Sequence, residues 1–155
     1  HWRQLAELGC FGLSGPESLG GAGYGLTEEI MAFREYGRRL VTPSVLATVL
    51  GALLAASAGD EALAGRLMSG EARAALAVPL AGATIGPDGR TSGPFHIVDA
   101  ADGDLLIAWT AERAAIYPAG AFGEAAPQLS LDRSAPLARA EAANAAPLRA
   151  KSSPS

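Results

Sequence analysis

Up to Gly70 the apolar residues recur at three- and four-residue intervals; beyond it they come in short runs broken by turn residues. Trp2, Leu5, Ala6 and Leu8 share one side of a first predicted helix, which Gly9 is placed to end. That helix opens almost at residue 1, which suggests a further element upstream. A glycine-rich connection follows over residues 14–25. Thr27 is the expected N-cap of a second helix, with Glu28 and Glu29 in a first turn where carboxylates complement the helix dipole. Ile30 stands third after Thr27, so a full capping box is not expected. Ile30, Phe33, Gly37 and Leu40 form the expected core face, with Arg34, Glu35, Arg38 and Arg39 on the other side. Thr42 as N-cap and Pro43 as first helical residue open a third helix. Val45, Leu46, Val49, Leu50, Leu53 and Leu54 give it a broad apolar surface, which predicts burial on most sides. Gly59 ends it, and Asp60 caps a fourth helix that carries Leu63, Leu67 and Met68 and closes at Gly70.

Past Gly70 the pattern predicts short strands over 74–78, 95–98, 105–109, 114–117 and 128–131. A further strand over 137–141 has its alanines against it. Gly86-Pro87-Asp88-Gly89 and Asp102-Gly103-Asp104 read as turns between them. The order, helices first and strands second, predicts an α+β chain. Its parts are a helical domain over 1–70, a small antiparallel β-barrel or sheet over 71–148, and a disordered tail over 149–155.

Composition narrows the function classes. Of 155 residues 49% are apolar, chiefly Ala and Leu, and only 6% aromatic, a mix that favours helix packing over a β-sandwich. The net charge of −4 comes with scattered Lys and Arg, so no basic stripe offers itself to a run of phosphates, and nucleic-acid binding is not expected. The most apolar stretch, 45–58, falls short of the roughly 20 residues that span a bilayer, and no leader opens the chain. A lone Cys10 leaves no intrachain disulfide and points to a reducing, cytoplasmic setting. With no cation or His beside it in Cys10-Phe11-Gly12-Leu13, it reads as a buried structural thiol. Abundant Ala, Gly and Arg beside little Lys suggests a GC-rich bacterial source.

Each pattern with chemical promise also has a plainer explanation. Gly20-Gly21-Ala22-Gly23-Tyr24-Gly25 leads into a helix, as phosphate loops do. No Gly-Lys-Ser/Thr follows and no strand precedes it, so it reads as a tight helix-to-helix connection. His96 alternates with Phe95 and Ile97 on a strand, and Ser92, its nearest nucleophile, lacks a Gly-x-Ser-x-Gly elbow. With His1 terminal, no second internal His or Cys completes a zinc site. Glu28-Glu29 and Asp102/Asp104 are explained as a helix start and a turn. No residue is assigned as catalytic, cofactor-binding or metal-ligating.

Several segments together resemble the acyl-CoA dehydrogenase family. They are Trp2-Arg-Gln-Leu-Ala-Glu-Leu-Gly9, Gly12-Leu-Ser-Gly-Pro-Glu17, Leu19-Gly-Gly-Ala-Gly23, Glu28-Glu29, Glu35-Tyr-Gly-Arg38, Pro43 and Ser69-Gly-Glu-Ala-Arg73. Farther on, Ala101-Asp-Gly-Asp-Leu-Leu-Ile-Ala108 and Leu131-Asp-Arg-Ser-Ala-Pro-Leu-Ala-Arg139 look like middle-domain segments. The resemblance implies the family's N-terminal helical and middle β domains, with the C-terminal four-helix bundle and its catalytic glutamate missing. It also implies FAD chemistry on an acyl-CoA thioester. Departures bear on that chemistry. Where the family carries a Thr-Glu-Pro-x-x-Gly-Ser-Asp-like flavin segment, this chain reads Val78-Pro-Leu-Ala-Gly-Ala-Thr-Ile85. A second flavin segment is absent where Phe95-His-Ile-Val98 runs on toward the next strand. The expectation is a flavin-poor subunit or region of a heteromeric, oligomeric FAD-dependent acyl-CoA dehydrogenase. FAD would be held in the assembled complex with a related subunit and not by this chain alone. The alternatives are a fragment of an active flavoenzyme and a non-catalytic acyl-CoA-binding module.

Overall fold

A computed structural model describes residues 1–99, 105–132 and 135–152. Four helices come first: α1 (Trp2–Glu7), α2 (Leu26–Arg38), α3 (Ser44–Ser57) and α4 (Glu61–Met68). Eight strands follow: β1 (Ala74–Pro79), β2 (Thr84–Ile85), β3 (Thr91–Val98), β4 (Leu105–Trp109), β5 (Arg113–Pro118), β6 (Ala126–Gln128), β7 (Leu137–Ala145) and β8 (Arg149–Ser152). Helices and strands are thus segregated along the chain, an α+β architecture.

Punctuation read from the sequence operates as expected at three helix ends, where Gly9, Gly59 and Gly70 have φ of 70°, 77° and 72°. The Asp60 carboxylate accepts from the Leu63 N–H at 3.1 Å and caps α4. Two other helices differ from expectation. α2 starts ahead of Thr27: Gly25 is its N-cap, and the Glu28 side chain accepts from the Gly25 N–H at 3.0 Å. The reaching-back half of a capping box is therefore present, one register earlier than the Thr27 reading allowed. The expected core face of α2 is also displaced. Ile30 and Leu40 are 58% and 79% exposed, while Phe33 and Tyr36 pack against Phe11, Val45 and Val49. On α3 the face toward the sheet is built from Ala47, Thr48, Gly51, Ala52 and Ala55, and the larger Leu46 and Leu50 point outward.

The eight strands form one sheet in the order β6-β7-β3-β1-β4-β5-β8, with β2 paired to β3. Every pairing is antiparallel except β1 with β4, which corrects the all-antiparallel expectation. The exception has a simple origin. β4 runs opposite to β3, but β1 lies between them and is antiparallel to β3, so it must run parallel to β4.

The sheet is curled. β7 and β8 sit five strand positions apart, about 24 Å on a flat sheet. Yet only residues 146–148 join them, a connection that reaches about 14 Å at full stretch. The concave side encloses a core of Phe95, Ile97, Leu106, Tyr117 and Phe122 among alanines. On the convex side Ala74, Leu105, Ile107 and Ile116 pack under α3 and α4.

Several strand boundaries also correct the expectation, β3 among them, which begins at Thr91 and not at Phe95. The strand expected over 128–131 is β6, Ala126–Gln128, because its partner β7 begins at Leu137 opposite Gln128 and leaves later residues unpaired. Leu129 and Leu131 are accordingly fully exposed. β7 extends to Ala145, since Ala140, Ala142 and Ala145 fill the concave core. Part of the expected tail is ordered: Arg149–Ser152 pairs with β5 as β8 and satisfies an otherwise open edge. Residues 153–155 lie outside the described residues.

Candidate functional site

The glycine-rich loop is closed on itself. The N–H groups of Gly20, Gly21, Ala22, Gly23 and Tyr24 donate to carbonyls of Glu17, Pro16, Gly12, Gly15 and Leu13 at 2.8–3.0 Å. A phosphate cradle needs such groups free and convergent, and here each already has an acceptor. Gly21 is required by contact, since a Cβ there would lie 2.2 Å from the Gly15 carbonyl oxygen.

Beneath this loop lies a polar cluster. The Ser14 hydroxyl donates to Glu29 Oε2 at 2.6 Å. Glu29 is only 7% exposed, and its Oε1 has no hydrogen-bond partner. Burial pushes the Tyr36 phenol well above its ordinary range, reinforced by the neighbouring Cys10 and by the charge of Glu29. Cys10 is half-buried, between the buried and exposed extremes. Of the two carboxylates read as a helix start, Glu28 caps and Glu29 is sequestered.

The remaining sequence candidates do not converge. Ser92 and His96 lie four residues apart on β3, about 13 Å along a strand, too far for a nucleophile–base hydrogen bond. Ser92 instead accepts from the Asn144 N–H at 3.0 Å. His96 is half-buried in register with Val78 and Arg139. Asp102 and Asp104 lie outside the described residues. Among those described, no group of three or more His, Cys, Asp or Glu is placed to hold a metal ion, and no helix is long and apolar enough to cross a membrane.

Sequence inspection missed Asp99. This residue directly follows β3 and has φ 60°, a left-handed conformation that Asp tolerates better than most residues. Its Oδ2 accepts from the Thr42 hydroxyl, from the Ser44 N–H at 3.2 Å and from the Ser44 hydroxyl at 2.5 Å. α3 has no side-chain cap or acidic first-turn residue of its own, so a carboxylate from the sheet performs that office. The legible signal was Thr42-Pro43-Ser44, a helix start with donors and no local acceptor.

At the position of the degenerate flavin segment, residues 80–83 form a tight turn in which the Ala83 N–H donates to the Leu80 carbonyl at 2.9 Å. The turn is pressed onto β3: a Cβ on Gly93 would meet the Gly82 oxygen at 2.7 Å and the Ala83 Cα at 2.8 Å. Leu80, Ala81, Gly82 and Ala83 carry no side-chain donor, and the Thr84 carbonyl accepts from the Thr91 hydroxyl at 2.7 Å. Within residues 80–83 no side chain can donate a hydrogen bond, and the exposed Thr84 hydroxyl is the nearest side-chain donor.

A cleft of about 870 Å³ lies between α1 and the segment after α2. Trp2, Leu5 and Leu8 form one wall; Arg39, Leu40 and Val41 form the other. The Trp2 indole is held from three directions. Its Nε1–H donates to the Gly70 carbonyl at 3.0 Å, Phe11 stacks on it at 4.3 Å, and the Arg73 guanidinium lies 4.1 Å over its ring.

Comparisons with known proteins agree with this architecture. Residues 1–74 match the model of the acyl-CoA dehydrogenase N-terminal domain. The acyl-CoA dehydrogenase IpdE2 of Mycobacterium tuberculosis is 38% identical over 113 residues, 70% of this chain and 33% of that protein. A variant of the Tcur3481-Tcur3483 steroid ACAD superposes with a TM-score of 0.72 at 23% identity, covering 99% of this chain and 47% of that one. An acyl-CoA dehydrogenase complexed with FAD from Bacillus anthracis superposes with a TM-score of 0.62 at 17% identity, over 95% of this chain and 30% of that one. The chain therefore spans between 30% and 47% of the length of these relatives.

Proposed function

Because the chain belongs to the acyl-CoA dehydrogenase family, we propose that it is a flavin-poor subunit or region of a heteromeric FAD-dependent acyl-CoA dehydrogenase. Its role is to supply the helical and β layers, while a related subunit completes the flavin site. The observation that carries this reading is the turn over 80–83, which is packed onto Gly93 and offers no side-chain donor. The self-satisfied amides of residues 20–24 support it, since that loop has no N–H group left to offer a phosphate. FAD, when bound in the assembled complex, would supply the hydride acceptor for α,β-desaturation of an acyl-CoA thioester. No residue of this chain is assigned a step in that reaction. The steroid ACAD named above as a pair, Tcur3481-Tcur3483, makes a heteromeric arrangement the natural frame for the reading.

The test is co-expression with the acyl-CoA dehydrogenase-like gene products encoded beside it. The expected result is a stable complex that carries flavin and reduces a dye in the presence of acyl-CoA. Recovery of the chain as a colourless monomer that ignores every such neighbour would overturn the reading. A second reading, part of a longer flavoenzyme chain, is favoured by the 33% share of IpdE2 that the chain covers. It predicts acyl-CoA-dependent dye reduction by the full gene product without any partner.

A further inference from the structure

We infer that the cleft between α1 and residues 39–42 is a binding site for a medium-chain monocarboxylate, independent of the subunit reading. Three observations carry the inference. The first is shape and lining: about 870 Å³ lies within the range of small-molecule sites, and its walls are set by Trp2, Leu5, Leu8, Leu40 and Val41. The second is rigidity. Trp2 is fixed by its hydrogen bond to Gly70, by stacking on Phe11 and by Arg73 over its ring, so the apolar wall is formed before any ligand arrives. Leu8 and Leu40 are nevertheless 74% and 79% exposed, which leaves apolar surface for a chain to cover.

The third is charge. Arg39 stands at the rim, exposed and in none of the ion pairs formed among the described residues. Glu7, the carboxylate at the other rim, is engaged by Arg3 at 3.0 Å. An apolar cleft with an unengaged guanidinium at its mouth matches an apolar chain that ends in a carboxylate, which Arg can take in a bidentate manner. A cationic amphiphile of equal length would place like charge beside Arg39.

Trp2 provides the readout. In a Trp109→Phe background, indole emission is titrated with decanoate and with decyltrimethylammonium, both below micelle formation. The inference predicts a saturable change with decanoate and binding at least about tenfold weaker with the cation. Arg39→Glu should weaken decanoate binding about tenfold or more, and Leu40→Asn should weaken it as well. Asn suits the positive φ of 51° at that position, so the second variant removes apolar surface without straining the backbone. Unchanged far-ultraviolet circular dichroism of both variants separates lost binding from lost fold. A non-saturable response, equal affinity for both headgroups, or indifference to both substitutions would overturn the inference and leave the cleft to a protein partner.

Discussion

α2 and α3 are similar in length and both were expected to bury an apolar face, yet they make opposite use of their residues. α3 buries eight residues, among them Ser44, Ala47, Thr48, Gly51, Ala52 and Ala55. α2 buries one, and that one is Glu29. The difference teaches that smallness, more than hydrophobicity, marks the helix lying on the sheet. A Cβ on Gly51 would stand 3.1 Å from Ile107 Cδ1 and 3.4 Å from Leu67 Cδ1, so the helix axis comes close and large side chains are turned aside. α2 packs Phe33 and Tyr36 against Phe11, Val45 and Val49 and leaves Leu26, Ile30 and Met31 exposed.

The contrast can be broken in order of expected effect. Leu67 is fully buried between α4 and the α3 layer. Leu67→Ala should therefore lower unfolding free energy by about 3 kcal/mol in a urea titration. Gly51→Val overfills the same contact and should cost about 2 kcal/mol; a neutral result would show that α3 is not held against Ile107. Alkaline pH probes the concave core. Burial pushes the Tyr117 phenol up to about 12, opposed by the neighbouring Thr91 hydroxyl and helped by the nearby charge of Asp88. Tyr117 also donates to the Gly89 carbonyl at 2.7 Å. The raised value means the fold prefers the neutral phenol. That contribution is complete below pH 10, the ordinary value for Tyr, and is lost as pH rises through about 12, so stability should fall by about 2 kcal/mol across this window. Tyr117→Phe should flatten the fall.

Smaller effects are expected around α2. Ser14→Ala removes the hydrogen bond to Glu29 and leaves a buried carboxyl poorer by one partner, a loss of about 1 kcal/mol. Ile30→Gln and Met31→Gln, by contrast, should change stability by no more than about 0.5 kcal/mol, because both side chains are already solvated. A loss of several kcal/mol at Ile30 would place α2 in the core after all.

Much of the fold was legible because local punctuation and long-range packing agree. Gly9, Gly59 and Gly70 stop helices in the left-handed conformation, Asp60 caps where it should, and β4 has the expected limits of Leu105–Trp109. What escaped was set by partners distant in sequence. Asp99 caps a helix that starts 55 residues earlier, and β8 forms because β5 presents an open edge. Thr42-Pro43-Ser44 shows that an acceptor is needed but not which residue supplies it, and no local pattern announces β8. Ile30 and Leu40 misled for the same reason, since periodicity gives a face but not its neighbour. At the candidate site, the sequence signalled what the flavin segment lacks, while the pressing of residues 80–83 onto Gly93 required coordinates.

This chain carries the first two layers of the family fold, and the proposal to be tested is that it does not hold FAD by itself. Equilibrium dialysis of the isolated chain against FAD, followed by flavin fluorescence of the protein compartment, tests it directly. The account predicts no excess flavin with the chain alone and retention once a complementing subunit is added. Retention of one FAD per isolated chain would contradict it.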